Sequence, residues 1–121
     1  MSEKKLKSLK EAEMKFKVNF ISDADNDLLE IYKYVYLNDS EERAGKLFDK
    51  LYQKCLALQE IPERGHILPE LRLLEVEGFL EVHYKPYRII YQIVNDEVFV
   101  HCILDGRRDI QKLLQERLIR G

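Results

Sequence analysis

The residues best able to do chemistry lie in the second half of this 121-residue chain. Arg72, His83, Tyr84, Tyr87, Arg88 and Tyr91 are followed by the turn Asp105-Gly106-Arg107-Arg108-Asp109. Arginines presented from a sheet face, with a histidine beside them and an Arg-Arg turn after them, suit a phosphate or an acidic peptide, because each guanidinium is a planar fork of donors matched to paired oxygens. The Gly-Arg-Arg-Asp turn also meets an ordinary structural need, since it ends a strand, caps a helix and supplies a surface ion pair. In the run 87–92 the strand period puts Tyr87, Ile89 and Tyr91 on one face and Arg88, Ile90 and Gln92 on the other. Two arrangements stay open. Helices over the tyrosine face leave Arg88 on the open side, and helices over the other face bury Arg88 with a partner.

The remaining candidates say less when taken singly. His66 stands in a Gly-Pro loop with no second ligand beside it in sequence, so no metal site is expected there. His83 alternates with Glu81 on one strand face, where a solvated face and a site are equally compatible with the pattern. His101 shares a face with Phe99 and Ile103 by alternation and is expected to be a hydrogen-bonded core histidine. Cys55 and Cys102 each sit in an apolar periodic segment and are far apart, which fits reduced core thiols and gives no zinc site. A phosphate-binding glycine-rich loop, H-E-x-x-H, C-x-x-C and G-x-S-x-G are all missing, and no cofactor is expected.

The elements that must position these groups are legible from periodicity. Residues 1–13 read as a charged extension, and a single domain spans residues 14–121. Phe16, Val18 and Phe20 alternate with polar residues as in a half-buried strand. Ser22 and Asp23 offer capping oxygens for a helix carrying Leu28, Ile31, Tyr32 and Val35 and ending near Leu37. Its tyrosines at 32, 34 and 36 spread around the helix, so some must be exposed, which fits a protein-binding surface and ordinary scattered surface aromatics equally. Ser40 caps a second helix whose stripe Ala44, Leu47, Phe48, Leu51, Cys55 and Leu58 runs to about Gln59, and the short break predicts an antiparallel helix hairpin. After the loop marked by Pro62, Gly65 and Pro69 come three strands. The first runs over 71–84 with a bend at Glu77-Gly78, the second over 87–93 after a tight turn at Lys85-Pro86, and the third over 98–104 after Asn95-Asp96. Asp109 caps a final helix with Ile110, Leu113, Leu114 and Leu118 on one side. The order β-α-α-β-β-β-α is that of an α+β domain with a helix hairpin packed on a mostly antiparallel four-stranded sheet and a C-terminal helix.

Composition narrows the function. The chain is 45% hydrophobic and 35% charged with a net charge of −2, too apolar for a disordered protein. Residues 1–17 and 106–121 each carry a net +3, and 18–65 and 66–105 each carry −4. An acidic middle disfavours binding driven by neutralising many phosphates. No apolar run approaches the roughly 18 residues of a membrane span, and a cytoplasmic protein is expected.

Taken together, Ala24-Asp25-Asn26-Asp27-Leu28-Leu29-Glu30-Ile31, then Leu58-x-x-Ile61-Pro62-x-x-Gly65, Tyr87-Arg88-Ile89-Ile90-Tyr91-Gln92-Ile93 and Ile103-Leu104-Asp105-Gly106-Arg107-Arg108-Asp109-Ile110 resemble the RelE/ParE toxin superfamily over about residues 14–119. These are toxins of type II toxin–antitoxin operons, including plasmid stabilisation proteins. The resemblance implies one of two activities. RelE-like members cut mRNA in the ribosomal A site, which requires stabilising the developing phosphorane charge and moving a proton. Under that reading Arg88 and Arg108 hold the phosphate, His83 is the candidate acid or base, and the catalytic tyrosine position of the last helix falls on Leu114.

ParE-like members instead inhibit DNA gyrase without covalent chemistry of their own. The long helix hairpin and the Arg-Arg-Asp-Ile-x-x-Leu-Leu start of the last helix look more like this branch, although Asp105 stands where many members carry His. The resemblance thus implies a gyrase inhibitor neutralised by a cognate antitoxin, with the ribosome and mRNA as the alternative target and an inactive antitoxin-binding member as the third possibility. Arg72, Tyr87, Arg88, Arg107, Arg108 and Asp109 are the expected target- or antitoxin-binding residues, in a dimer or a toxin–antitoxin hetero-oligomer.

Overall fold

Alternating Lys17-Val18-Asn19-Phe20 forms the edge strand β1 (Lys17–Phe20) of the computed structural model, which describes residue 3, residues 15–70 and residues 78–118. The chain leaves this strand directly into α1 (Ser22–Asn38). The capping position of α1 is Ile21, with no side-chain cap, and not Ser22 or Asp23 as the sequence suggests. The reason is that the Ile21 N–H still donates to Val100 O of the sheet at 3.1 Å while its carbonyl already accepts from Ala24 and Asp25. Ser40 caps α2 (Glu41–Leu56) as expected, its hydroxyl accepting from the Arg43 N–H at 3.1 Å. The helical turn expected to carry α2 to Gln59 tightens into a 3-10 turn over Ala57–Gln59, and a second follows at Pro62–Arg64.

Among the described residues five strands form the sheet, one more than the sequence indicates. The extra one is the two-residue β2 (His66–Ile67), followed by β3 (Phe79–Tyr84), β4 (Tyr87–Val94) and β5 (Glu97–Asp105). The order is β1-β5-β4-β3-β2, antiparallel except for the parallel pair β1–β5. Expected strand residues 71–77, and with them Arg72, lie outside the described residues, as does the N-terminal extension apart from Glu3. Gly78 enters β3 at φ +88°, a backbone region open mainly to glycine. Asn95 (φ 57°) supplies the left-handed residue of the β4–β5 turn, a conformation its short side chain tolerates. The Asp109 carboxylate accepts from the Lys112 N–H at 3.2 Å and caps α3 (Ile110–Leu118).

The two faces of the sheet have different covers. Val82, Ile89, Tyr91, Val98, Val100 and Ile103 pack under the α1–α2 hairpin against Ala24, Leu28, Leu51, Cys55 and Leu58. A second cluster on the opposite side joins Leu68, Ile90, Cys102 and Leu104 to Ile110 and Leu114 of α3. Both thiols are free and buried, and burial pushes each up to about 12 because a thiolate there would lose its hydration. Phe20, Tyr52, Phe48, Tyr32 and Tyr36 form a continuous run of ring contacts with centroids 5.4–6.2 Å apart, stacked except for the edge-to-face pair Tyr32–Phe48.

A bulge corrects one expectation. The β4–β5 register runs Ile90↔Cys102 and then Tyr91↔Val100, so His101 has no residue opposite it and the strict alternation behind its expected placement fails. Its ring packs edge-on against Phe79 at 5.1 Å, and its buried Nε2 has no hydrogen-bond partner among the described residues, so it is not the hydrogen-bonded histidine expected.

Candidate functional site

The Lys85-Pro86 turn fixes the β3–β4 register as Tyr84↔Tyr87, His83↔Arg88 and Glu81↔Ile90, and β2 adds His66↔Glu81 on the outer side. Cross-strand partners share a face. His66, Glu81, His83 and Arg88 therefore converge on the side of the sheet opposite the helix hairpin. This decides between the two arrangements left open by the sequence: the hairpin covers the tyrosine face, and Arg88 lies on the other. Arg88 is nevertheless closed in, its side chain only 14% exposed.

Glu81 is the centre of the cluster, with its side chain 2% exposed. One carboxylate oxygen, Oε1, lies 2.9 Å from His66 Nε2 and also meets His83 Nε2. The other, Oε2, accepts from Arg88 Nε at 2.9 Å and from Arg88 Nη2. Glu70, at the end of the Pro-containing loop, takes the far side of the same guanidinium through both its oxygens, one at 2.8 Å. The two imidazole rings stand edge to face with centroids 5.1 Å apart and remain open to solvent. A carboxylate buried to this degree is tolerated because Arg88 donates twice to one oxygen and two imidazole nitrogens meet the other. The Arg88 side chain binds Glu70 tightly enough to hold the Glu70 carboxyl below its ordinary range, and Glu70 and Glu81 together keep Arg88 firmly protonated despite desolvation.

The arginine turn lies beside this cluster. Gly106 N–H donates to Pro86 O at 2.7 Å, and a Cβ on Gly106 would lie 2.9 Å from that carbonyl oxygen and 3.2 Å from Arg88 Cδ, so only glycine lets the turn sit on the Arg88 stem. Arg107 turns back on Asp105, Nε at 2.9 Å and Nη2 at 2.6 Å, and its hydrogen bonds lower the Asp105 pKa. Arg108 and Asp109 are exposed. Tyr87 points the other way, packing against the hairpin core. The expected binding residues thus divide: Arg88 on the open side beside the exposed Arg107-Arg108-Asp109 turn, and Tyr87 under the helices.

The sequence pattern of the ParE toxin of the type II toxin–antitoxin system parDE matches residues 18–110. The chain belongs to this family. Among solved structures, the chromosomal ParDE toxin–antitoxin system of P. aeruginosa is similar with a TM-score of 0.63 at 20% identity, covering 74% of this chain and 95% of the other. The RelBE2 toxin–antitoxin complex of Mycobacterium tuberculosis gives a TM-score of 0.57 at 18% identity, covering 75% and 91%. No curated protein matches the chain by sequence.

The α+β architecture expected from the ParE resemblance is thus the one observed. Within this ParE-family fold, Leu114 is fully buried against Ile90, Cys102 and Leu104, and so is an apolar anchor of α3. Sequence reasoning missed Glu70 as a partner of Arg88, and judged His66 by its loop alone. Glu81 was recoverable, because a two-residue turn at 85–86 already pairs 83 with 88 and puts 81 on the same face. His66 and Glu70 carried no such signal, since a loop containing Pro62, Gly65 and Pro69 does not announce where it docks.

Proposed function

We propose that this ParE-family chain acts by binding a protein target, DNA gyrase, as ParE-like toxins do, and that a cognate antitoxin neutralises it in the cytoplasm. The observation that carries this reading is the closure of Arg88 by Glu70 and Glu81. An arginine that stabilises a scissile phosphate must keep donors free for it, and here two carboxylates occupy them. The acidic balance of the chain points the same way. Exposed Leu29, Tyr34, Tyr36 and Leu37 of α1 offer apolar anchors for an antitoxin segment, and the exposed Arg107 and Arg108 a charged rim.

A second reading, RelE-like mRNA cleavage, is favoured by one observation, the convergence of two solvent-open imidazoles on Glu81, which resembles an acid–base pair. Tightly controlled expression in bacteria separates the two. Early loss of gyrase supercoiling with protein synthesis intact, unchanged in His83→Gln, is the expected result. Immediate arrest of translation with A-site mRNA cuts, abolished in His83→Gln, would establish the nuclease instead, and the absence of any growth defect would leave an inactive antitoxin-binding member.

A further inference from the structure

Glu81 Oε1 receives two imidazole nitrogens at once, and the three donor atoms of His66, Glu81 and His83 all lie within 4.8 Å of one another. Ligand bonds of about 2.0–2.2 Å meeting at 90–110° separate neighbouring donors by about 2.8–3.6 Å. The 2.9 Å between His66 Nε2 and Glu81 Oε1 falls in that span, while His83 Nε2 lies closer to the same oxygen than the lower limit and its ring has to turn outward to admit an ion. Two nitrogens and one carboxylate oxygen on two adjacent strands are the donor set of borderline divalent transition metals, above all Zn2+. We propose that His66 Nε2, His83 Nε2 and Glu81 Oε1 form a binding site for one such ion.

Three features of the surroundings support it. The ligands come from paired positions of the sheet, so their backbones are held by strand hydrogen bonds and not by a loose tail. Arg88 donates only to the second oxygen, Oε2, and so orients the carboxylate with Oε1 toward the imidazoles, as an outer partner of a metal ligand does. Glu70 matches the charge of Arg88, so the cluster retains one negative charge in excess to meet an incoming cation. Three protein ligands, two of them solvent-open, leave at least one coordination position for water. This inference is independent of the gyrase reading.

The test uses the full chain with any affinity tag removed. Titration with Zn2+ by calorimetry, and with Co2+ by visible absorption, is expected to show one saturable site per chain and cobalt bands of a low-coordinate N2O set. Zn2+ should raise the melting temperature of the wild type. His66→Ala, at an exposed position, and His83→Gln should each weaken binding at least tenfold and remove the thermal shift while circular dichroism stays native. Absence of saturable binding, or two variants that bind as tightly as wild type, would overturn the proposal.

Discussion

Asp27 and Arg117 meet across the open edge of the sheet, Nη2 at 2.7 Å from Oδ1 and Nη1 at 3.0 Å from Oδ2, although they lie 90 residues apart. The same carboxylate accepts the Ile103 N–H at 3.0 Å. β1 pairs with β5 only as far as Val100. Beyond that point Asp27 of α1 takes the place of a strand partner, and Arg117 of α3 closes over it. One buried acid thus ties the first helix, the sheet edge and the last helix together, and its hydrogen bonds keep Arg117 firmly protonated.

Breaking this arrangement should cost more than an ordinary surface pair. Asp27→Leu leaves a mostly buried guanidinium and a strand N–H without acceptors, and is expected to destabilise the fold by about 3–5 kcal/mol. The double variant Asp27→Leu, Arg117→Leu should recover part of the loss, because the uncompensated cation is gone while the Ile103 N–H is still orphaned. Urea midpoints at an unchanged slope would read this, and a loss under 1 kcal/mol for Asp27→Leu would show that the edge does not depend on the acid.

A second prediction concerns the loop that delivers His66. The Tyr91 hydroxyl donates to Pro62 O and accepts from the Gly65 N–H at 3.0 Å, and it lies under the hairpin. Tyr91→Phe leaves both backbone groups unsatisfied and should cost about 1–3 kcal/mol. Gly65→Ala should cost at least as much, for a spatial reason: a Cβ there would stand 2.3 Å from the Tyr91 oxygen and 2.7 Å from Glu81 O. Removing the hydroxyl cannot rescue it, since the second obstacle is backbone. Thermal unfolding of Gly65→Ala reads the loss, and a melting temperature equal to that of the wild type would show that the loop has room for the added carbon.

Acid should loosen the Arg88 cluster. Arg88 depresses the Glu70 pKa through its hydrogen bond. For an acid whose folded pKa is depressed, the stability it adds is complete above its unfolded value, near 4, and is lost as pH falls through the lower folded value. Glu70→Gln removes that contribution. The gap in denaturant midpoint between wild type and Glu70→Gln is therefore expected to be wide at pH 7 and to narrow as pH falls below about 4, and a gap of constant width would contradict the pairing.

How much of this was legible in the sequence depended on whether a residue's position follows from local periodicity. The helix hairpin did, because Ala44, Leu47, Leu51, Cys55 and Leu58 recur at helical spacing and Ser40 is a cap. β4 and β5 did as well. The face on which Arg88 sits did not, since a strand with Ile on both sides can turn either one to the helices. His101 escaped because one inserted residue in β5 cancels the alternation used to place it. The cluster was half visible: Glu81, His83 and Arg88 follow from a two-residue turn, whereas His66 and Glu70 arrive through a loop whose docking is set by Tyr91, far away in the chain.

The parallel pairing of β1 with β5 also has a consequence in time. Val18 finds its neighbour only at Val98, so during synthesis the helix hairpin leaves the ribosome before the central strands it must cover have emerged. Its apolar stripe waits uncovered, and closure of the sheet is a late step governed by distant contacts rather than by local structure. A chain built in this order acquires its finished surfaces abruptly and near the end of its own translation, and a partner that engages the waiting hairpin would meet it before the folded protein exists.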